Sequence, residues 1–321
     1  MHFISTLYFT SYNYTKSVFF NSKRYSSSKI NNDNKLDPWY VTGFVDGEGC
    51  FNVWVARSKS NLIGWQVQAR FIIEVNIKDI DLLLKIQNFF EGIGSVTTTK
   101  SVARFAVSGL DNIVNVILKH FENYPLQSAK KIDYYFWKEC VNLMLEKKHL
   151  TNKGLTEIVS NKFTINFGES EKLKESFPNA TPKNRSLINC SITYLNPFWV
   201  TGLIEAEGSF FVIENKKTGV VRPWFSIEMN IREKFLLIKL NEFFNNIGSV
   251  YESSNSGLVE WKVFKLVNFD SLKNHFNNYP LQGFKGYNYL IWAEILKLLS
   301  NNDIKNRDKL KELRYKLNKW K

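Results

Sequence analysis

The feature that most limits how this chain can fold is that it contains the same segment twice. Asp37 to Phe51 (DPWYVTGFVDGEGCF) recurs 159 residues later as Asn196 to Phe210 (NPFWVTGLIEAEGSF). Phe71 to Asn76 (FIIEVN) recurs as Phe225 to Asn230 (FSIEMN), now 154 residues apart. Ile93 to Val96 recurs as Ile247 to Val250, and His120-Phe121 with NYPLQ at 123–127 recurs as His275-Phe276 with NYPLQ at 278–282. Matches in the same order with a nearly constant offset predict one duplicated domain, built twice. The drop from 159 to 154 assigns a five-residue length difference to the loop around 57–65.

Each unit is legible as an α+β fold in the order α-β-β-α-β-β-α, two pseudo-symmetric copies with an antiparallel sheet apiece. Asp37 and Asn196 are good N-caps followed by proline at the first helical position. The glycines after Glu48 and Glu207 suit a helix stop. Alternation in 51–55 and 65–75 predicts two strands, with Val67, Ala69, Phe71 and Ile73 on one face and Gln66, Gln68, Arg70 and Ile72 on the other. A helix begins after Asp79, short strands are expected near 94–99 and 102–108, and helices near 111–122 and from 127. Phe71/Phe225, Phe90/Phe244 and Tyr124/Tyr279 are expected in the cores. The resulting domains are 37–167 and 196–296, joined by a linker at 168–195 and followed by a basic tail at 297–321.

The first helix of each unit carries the chemistry. Gly43 and Gly47 lie four residues apart on one face, matched by Gly202 and Ala206. Small residues at this spacing let two backbones approach closely, at a cost of about 1 kcal/mol per interior glycine. The two helices are therefore expected to pack on each other about a pseudo-twofold axis. Glu48 and Glu207 then sit together at the helix C-termini, where exposed carbonyls disfavour an anion. A cation between them relieves the repulsion, and oxygen-only ligands suit Mg²⁺. Asp46 and Glu205, also repeated, are expected to be structural.

Val41 to Gly49 (VTGFVDGEG) and Val200 to Gly208 (VTGLIEAEG) resemble the LAGLIDADG motif, and the chain from about 37 to 296 resembles a single-chain, two-repeat LAGLIDADG homing endonuclease of mitochondrial intron type. His149 to Leu155 (HLTNKGL) and the two NYPLQ segments fit the same family; threonine before the first glycine and glutamate at the last acid are mild departures. The resemblance implies a monomer that cuts double-stranded DNA at one long, rare site, across the minor groove, leaving 3′ overhangs. It implies Glu48 and Glu207 as ligands of two or more Mg²⁺ ions (Mn²⁺ able to substitute), with backbone carbonyls at Gly47 and Ala206. A basic residue near the metals maps best to Lys265, with Lys262 as the alternative. The same family leaves open a maturase that binds its group I intron RNA, and a catalytically inactive DNA-binding copy.

Gln66, Gln68 and Arg70 project on one face, and a strand pair fits the major groove, where glutamine can read adenine and arginine guanine. Asn52, Arg57, Lys59, Lys100 and Arg104 extend that surface, and Lys216, Lys217, Arg222, Trp224 and Ser226 supply it in the second unit. The acids Glu74 and Glu228 share the parity of these readers, and DNA contact gives no account of them. The net charge of +13 favours a polyanionic partner. It is unevenly placed: residues 1–36 contribute +4 and 297–321 contribute +6, leaving +3 for the body. The first 32 residues lack Asp and Glu and resemble a mitochondrial import segment, with Arg24-Tyr25-Ser26 like a processing site, or else form a leader ahead of the fold. Three scattered cysteines exclude a disulfide framework and a CxxC zinc site. No apolar run approaches the roughly 18–20 residues of a membrane span.

Overall fold

The computed structural model describes residues 24–25, 35–168, 170–187, 194–215, 217–253, 256–300 and 307–319. Lys216, most of the 1–36 leader and parts of the linker and tail lie outside the described residues. Arg24–Tyr25 forms a short strand, β1. The first repeat then runs α1 (Pro38–Glu48), β2 (Gly49–Arg57), β3 (Trp65–Asn76), α2 (Ile80–Phe89), β4 (Ser95–Thr98) and β5 (Val102–Val107). A helical stretch follows, α3 (Leu110–Asn112), a π-helical segment Ile113–Leu118 and α4 (Lys119–Asn123), then α5 (Lys130–Leu145) and α6 (Asn152–Thr164). After α7 (Glu171–Ser176), the second repeat runs α8 (Pro197–Glu207), β6 (Gly208–Glu214), β7 (Val221–Asn230), α9 (Lys234–Phe243), β8 (Ser249–Glu252), β9 (Leu258–Val263), α10 (Phe269–Asn278), α11 (Phe284–Ser300) and α12 (Arg307–Lys319).

The fold is α+β with two antiparallel sheets, ordered β1-β4-β5-β3-β2 and β6-β7-β9-β8. In the first sheet Phe51, Val53, Ala69, Phe71, Ile73, Val96, Phe105 and Val107 turn inward against α2 and the helices after β5. Phe210, Phe225, Ile227, Trp261 and Val263 do the same in the second. The five-residue length difference lies along the whole first hairpin, since β2 and β3 are each two residues longer than β6 and β7. Gly49 and Gly208 follow their helices in extended backbone at φ −74° and −69°, not in a left-handed stop. Glycine is needed there for space: an added Cβ would lie 2.7 Å from the carbonyl oxygens of Val45 and Ile204 respectively.

The tail is part of the second domain. Leu313 and Leu317 of α12 are buried in its core, with Leu310 packed against it, and Arg314 donates to Glu214 of β6 at 2.6 Å. Helix α12 lies against α11 and β6 as α6 lies against α5 and β2. Each repeat therefore gains one helix beyond α-β-β-α-β-β-α, and the second domain extends past 296. The backbone of Arg24–Tyr25 pairs with Val96–Thr97, so this dipeptide of the leader adds an edge strand.

The threonine that departs from the motif closes a polar contact inside each domain. Thr42 Oγ1 donates to the Tyr124 carbonyl at 3.0 Å and lies 3.0 Å from His120 Nε2; Thr201, Tyr279 and His275 repeat this at 3.0 and 2.9 Å. Since the hydroxyl proton goes to the carbonyl, each imidazole must donate from Nε2, and burial is what keeps the ring neutral. Burial pushes their pKa down to about 3 for His120 and about 4 for His275. A depressed histidine pKa gives stability that is complete above the unfolded value near 6.5 and is lost as pH falls toward the folded one. At pH 5 each histidine is expected to cost about 2 kcal/mol relative to pH 7.5. Denaturant unfolding at the two pH values checks this: the double variant His120→Gln, His275→Gln should be less acid-sensitive than the parent. Equal sensitivity would show that the histidines protonate in place.

Candidate active site

Helices α1 and α8 are buried almost all round, as a central pair must be. A Cβ added at Gly43 would fall on the Trp199 carbonyl oxygen, and one at Gly202 on that of Tyr40. Further along, a Cβ on Gly47 would meet that of Ala206 and come within 3.2 Å of Glu207 Cγ and Oε1. The four interface positions read from the sequence thus form one seam, and its end brings Glu48 and Glu207 together.

The acids two residues inward behave differently from that pair. Asp46 accepts from the amides of Gln127 and Ser128 at 2.9 and 3.1 Å, from the Ser128 hydroxyl at 2.6 Å, and from Trp199 Nε1 of the other repeat at 2.7 Å. Glu205 accepts from the Gln282 amide at 2.6 Å and from the Tyr40 hydroxyl at 3.1 Å. The structural role expected for these two acids is visible as hydrogen bonds, and NYPLQ is repeated because its end supplies the donors.

Two lysines flank the outer pair. Lys130 Nζ, in the first turn of α5, donates to the carbonyls of Gly47 at 2.6 Å and Val45 at 3.0 Å. Lys285 Nζ, in the first turn of α11, donates to the Ala206 carbonyl at 2.9 Å. Burial, then the charge of Glu207, pushes the Glu48 carboxyl up to about 7, while Lys285 and Lys130 pull it down. Burial also raises Glu207 against the same two lysines. Both ammonium groups are lowered by burial and supported by the surrounding carboxylates. The donor set fits a hard divalent cation: two crowded carboxylates and two carbonyls that already face positive charge. Among the described residues no three His, Cys, Asp or Glu side chains converge.

The lysine charges that act on the acid pair are those of Lys285 and Lys130; Lys265 and Lys262 are not among them. Lys265 is exposed just beyond β9, and Lys262 binds Glu260 at 2.6 Å with its ammonium 5.6 Å from the Tyr251 ring. Lys130 and Lys285 were missed because they stand in helices remote in sequence. The available signal was that NYPLQ is followed by lysine at the same distance in both repeats.

The reading face follows the strand register. Asn52, Trp54 and Ala56 stand opposite Arg70, Gln68 and Gln66. Arg70 donates to Gln68 at 2.7 Å and lies over the Trp54 ring at 5.1 Å. Arg104 pairs with Glu74 across the strands, which gives the acid of the first repeat its place: it fixes a candidate cationic reader. Glu228 faces Glu260, which binds Lys262. Arg57 falls on the opposite parity, its guanidinium 4.1 Å from the Trp65 ring. Lys59, Lys100, Lys217 and Arg222 are exposed, whereas Ser226 is buried. Beside Trp224 the second domain carries two rings the sequence did not single out, Phe211 at 6.2 Å and Phe264 at 5.3 Å. Asn52, Arg70 and Ser108 hold the matching places in the first domain.

The LAGLIDADG endonuclease family model matches residues 41–141 and 200–296. Probable intron-encoded endonuclease 3 of Neurospora crassa is 35% identical over 284 residues, 85% of this chain and 52% of that protein. Probable intron-encoded endonuclease 2 of the same organism is 37% identical over 280 residues, 84% of this chain and 61% of that protein. The chain thus spans only half to three-fifths of these two relatives. Among solved structures, I-SmaMI bound to uncleaved DNA target with calcium ions matches at TM-score 0.84 and 30% identity, covering 88% of this chain and 99% of that one. The LAGLIDADG homing endonuclease I-GzeII in complex with its DNA target matches at TM-score 0.81 and 28% identity, over 87% and 97%. With both repeats matched and the doubled fold aligned over 88% of the chain with a solved member, the chain belongs to the LAGLIDADG endonuclease family.

Proposed function

We propose that the protein is a homing endonuclease that hydrolyses one phosphodiester in each strand of a long DNA target, using Mg²⁺, and leaves 3′ overhangs. The observation that carries this reading is the pair Glu48 and Glu207 at the end of the helix seam, with Lys130 and Lys285 beside it. Glu48, Glu207 and the Gly47 and Ala206 carbonyls would hold the cations. Bound Mg²⁺ supplies Lewis acidity toward phosphate and lowers the pKa of water. The protein's part is electrostatic: the carboxylates offset metal charge, and the ammonium groups face the negative charge that grows on phosphorus oxygens as water enters and the 3′ oxygen leaves. The sheet faces hold the duplex in register across the seam. The aromatic group in the second domain against polar Asn52 and Arg70 in the first makes the half-sites chemically unequal, apolar contact suiting the thymine methyl.

The relatives' intron origin supports homing into an intronless allele and a mitochondrial setting as parts of the same proposal. The test is cleavage of duplex DNA spanning the intronless junction, with Mg²⁺ and with EDTA. Mg²⁺-dependent double-strand breaks are expected; an inert, well-folded protein that binds the junction would overturn the nuclease reading. Lys130→Met and Lys285→Met, close in shape but uncharged, should each slow cutting by about 10²-fold with binding retained. Lys262→Met and Lys265→Met should stay within about threefold of the parent, since the charges acting on the acids are those of Lys130 and Lys285. The reverse order of effects would return the lysine role to the end of β9.

A further inference from the structure

The lysine-bearing helices are each held at their start by an acid from the other domain. Asp79 ends the short 3₁₀ turn Ile77–Asp79 of the first domain, and its Oδ1 accepts from the Phe284 amide at 2.7 Å. Phe284 is the residue before Lys285. Glu233 ends the matching turn Ile231–Glu233 of the second domain, and its carboxylate accepts from the Ala129 amide at 3.0 and 3.2 Å. Ala129 is the residue before Lys130. Neither acid caps the helix it precedes in sequence, α2 or α9. Both instead satisfy the open donors at a helix start across the domain boundary, where a negative charge also meets the positive end of the helix dipole.

We propose that Asp79 and Glu233 are positioning residues, each setting the active-site lysine of the opposite domain. The proposal rests on the nuclease reading above and adds a coupling to it. The sequence of contacts is the same both ways: Asp79 to the Phe284 amide, then Lys285 to the Ala206 carbonyl; Glu233 to the Ala129 amide, then Lys130 to the Gly47 carbonyl. The fit on the α11 side is close, since a Cβ at Gly283 would lie 2.7 Å from Asp79 Oδ1 and 2.9 Å from Leu82. Each domain's own acid, Asp46 or Glu205, holds the residues just before, so every lysine turn is fixed by one carboxylate from each half. A lysine is thus correctly seated only when both domains are docked.

The test uses the full chain and a target duplex labelled separately on its two strands, with each strand's cutting rate read out. Asp79→Ala should slow one strand by about tenfold while the other stays within about twofold, so nicked duplex accumulates. Glu233→Ala should slow the opposite strand. Asp79→Asn keeps an acceptor oxygen and should restore the rate to within about threefold of the parent. Hydrogen exchange should quicken at the Phe284 amide in Asp79→Ala and at the Ala129 amide in Glu233→Ala, a readout that needs neither metal nor DNA. The pair Asp79→Ser and Glu233→Ser replaces the alanine variants if those do not fold. Both strands slowing by the same factor, or no slowing despite faster exchange, would overturn the proposal. A parent protein that cuts neither strand would count against the nuclease reading instead, while the exchange result would still decide the cross-domain contact.

Discussion

Glu48→Gln and Glu207→Gln are expected to abolish cleavage and, in the same molecules, to stabilise the metal-free fold. Glutamine keeps the shape of each side chain and removes its charge. The loss of cutting should be at least about 10³-fold, because the charge proposed to hold the cation is gone. The gain in stability follows from the crowding that makes the site work. The Glu48 carboxyl is raised by burial and then by Glu207, to about 7 from an ordinary value of 4.5. A carboxyl raised in the fold binds its proton more tightly there, so its contribution to stability declines as pH rises from 4.5 to 7. Well above pH 7 the charged group costs the fold on the order of 3 kcal/mol, and Glu48→Gln removes that cost. Denaturant unfolding in EDTA at pH 8 should show the variant more stable than the parent, with the difference closing toward pH 4.5. Added Mg²⁺ should stabilise the parent and leave the variant unchanged, since a ligand stabilises only the state that binds it. Target binding should survive. A variant that still cuts would remove these acids from the mechanism, and one that is less stable at pH 8 would mean the lysines neutralise the pair completely.

How much of this was legible in the sequence depends on how far apart the cooperating residues lie. The doubled motif, the helix seam and the acid pair could be read because each lies within one short segment, and repetition marked which residues mattered. The outer face of β3 could be read from its period of two. The lysines could not, because Lys130 is 82 residues from Glu48 and only the tertiary fold joins them. Lys265 was expected in their place from its position at a strand end, which says nothing about the direction a side chain takes. The role of Asp79 was hidden for a different reason. An acid just before an apolar helix is the ordinary sign of a local cap, and the carboxylate serves a helix 205 residues away. The tail reads from the sequence as a basic, helix-prone segment because Lys and Arg dominate it; the stripe Leu310, Leu313 and Leu317 that docks it carries too little apolar weight to stand out without a surface to cover.

Gly43→Ala and Gly202→Ala should each destabilise the protein by roughly 3 kcal/mol or more, although alanine is the better helix former by about 1 kcal/mol. In both cases the added methyl would fall on a backbone carbonyl oxygen of the partner helix, Trp199 or Tyr40, and not on a side chain that can turn aside. The two helices must then separate, and neither can do so alone. Trp199 is tied to Asp46 and Tyr40 to Glu205, so separation stretches the hydrogen bonds that hold Gln127, Ser128 and Gln282 in place. The lysines that follow those residues move with them, and Glu48 and Glu207 lose their mutual position at the end of the seam. Cutting should therefore fall further than stability alone dictates, even at temperatures where the variants remain folded. Gly109→Ala is the control: its nearest neighbour would be Asn112 Nδ2 at 3.5 Å, an ordinary contact, so stability should stay within about 1 kcal/mol. Unfolding midpoints and cutting rates for the three variants decide the matter. If Gly43→Ala behaves like Gly109→Ala, the helices do not touch backbone to backbone, and the close approach that brings the two carboxylates together is wrong.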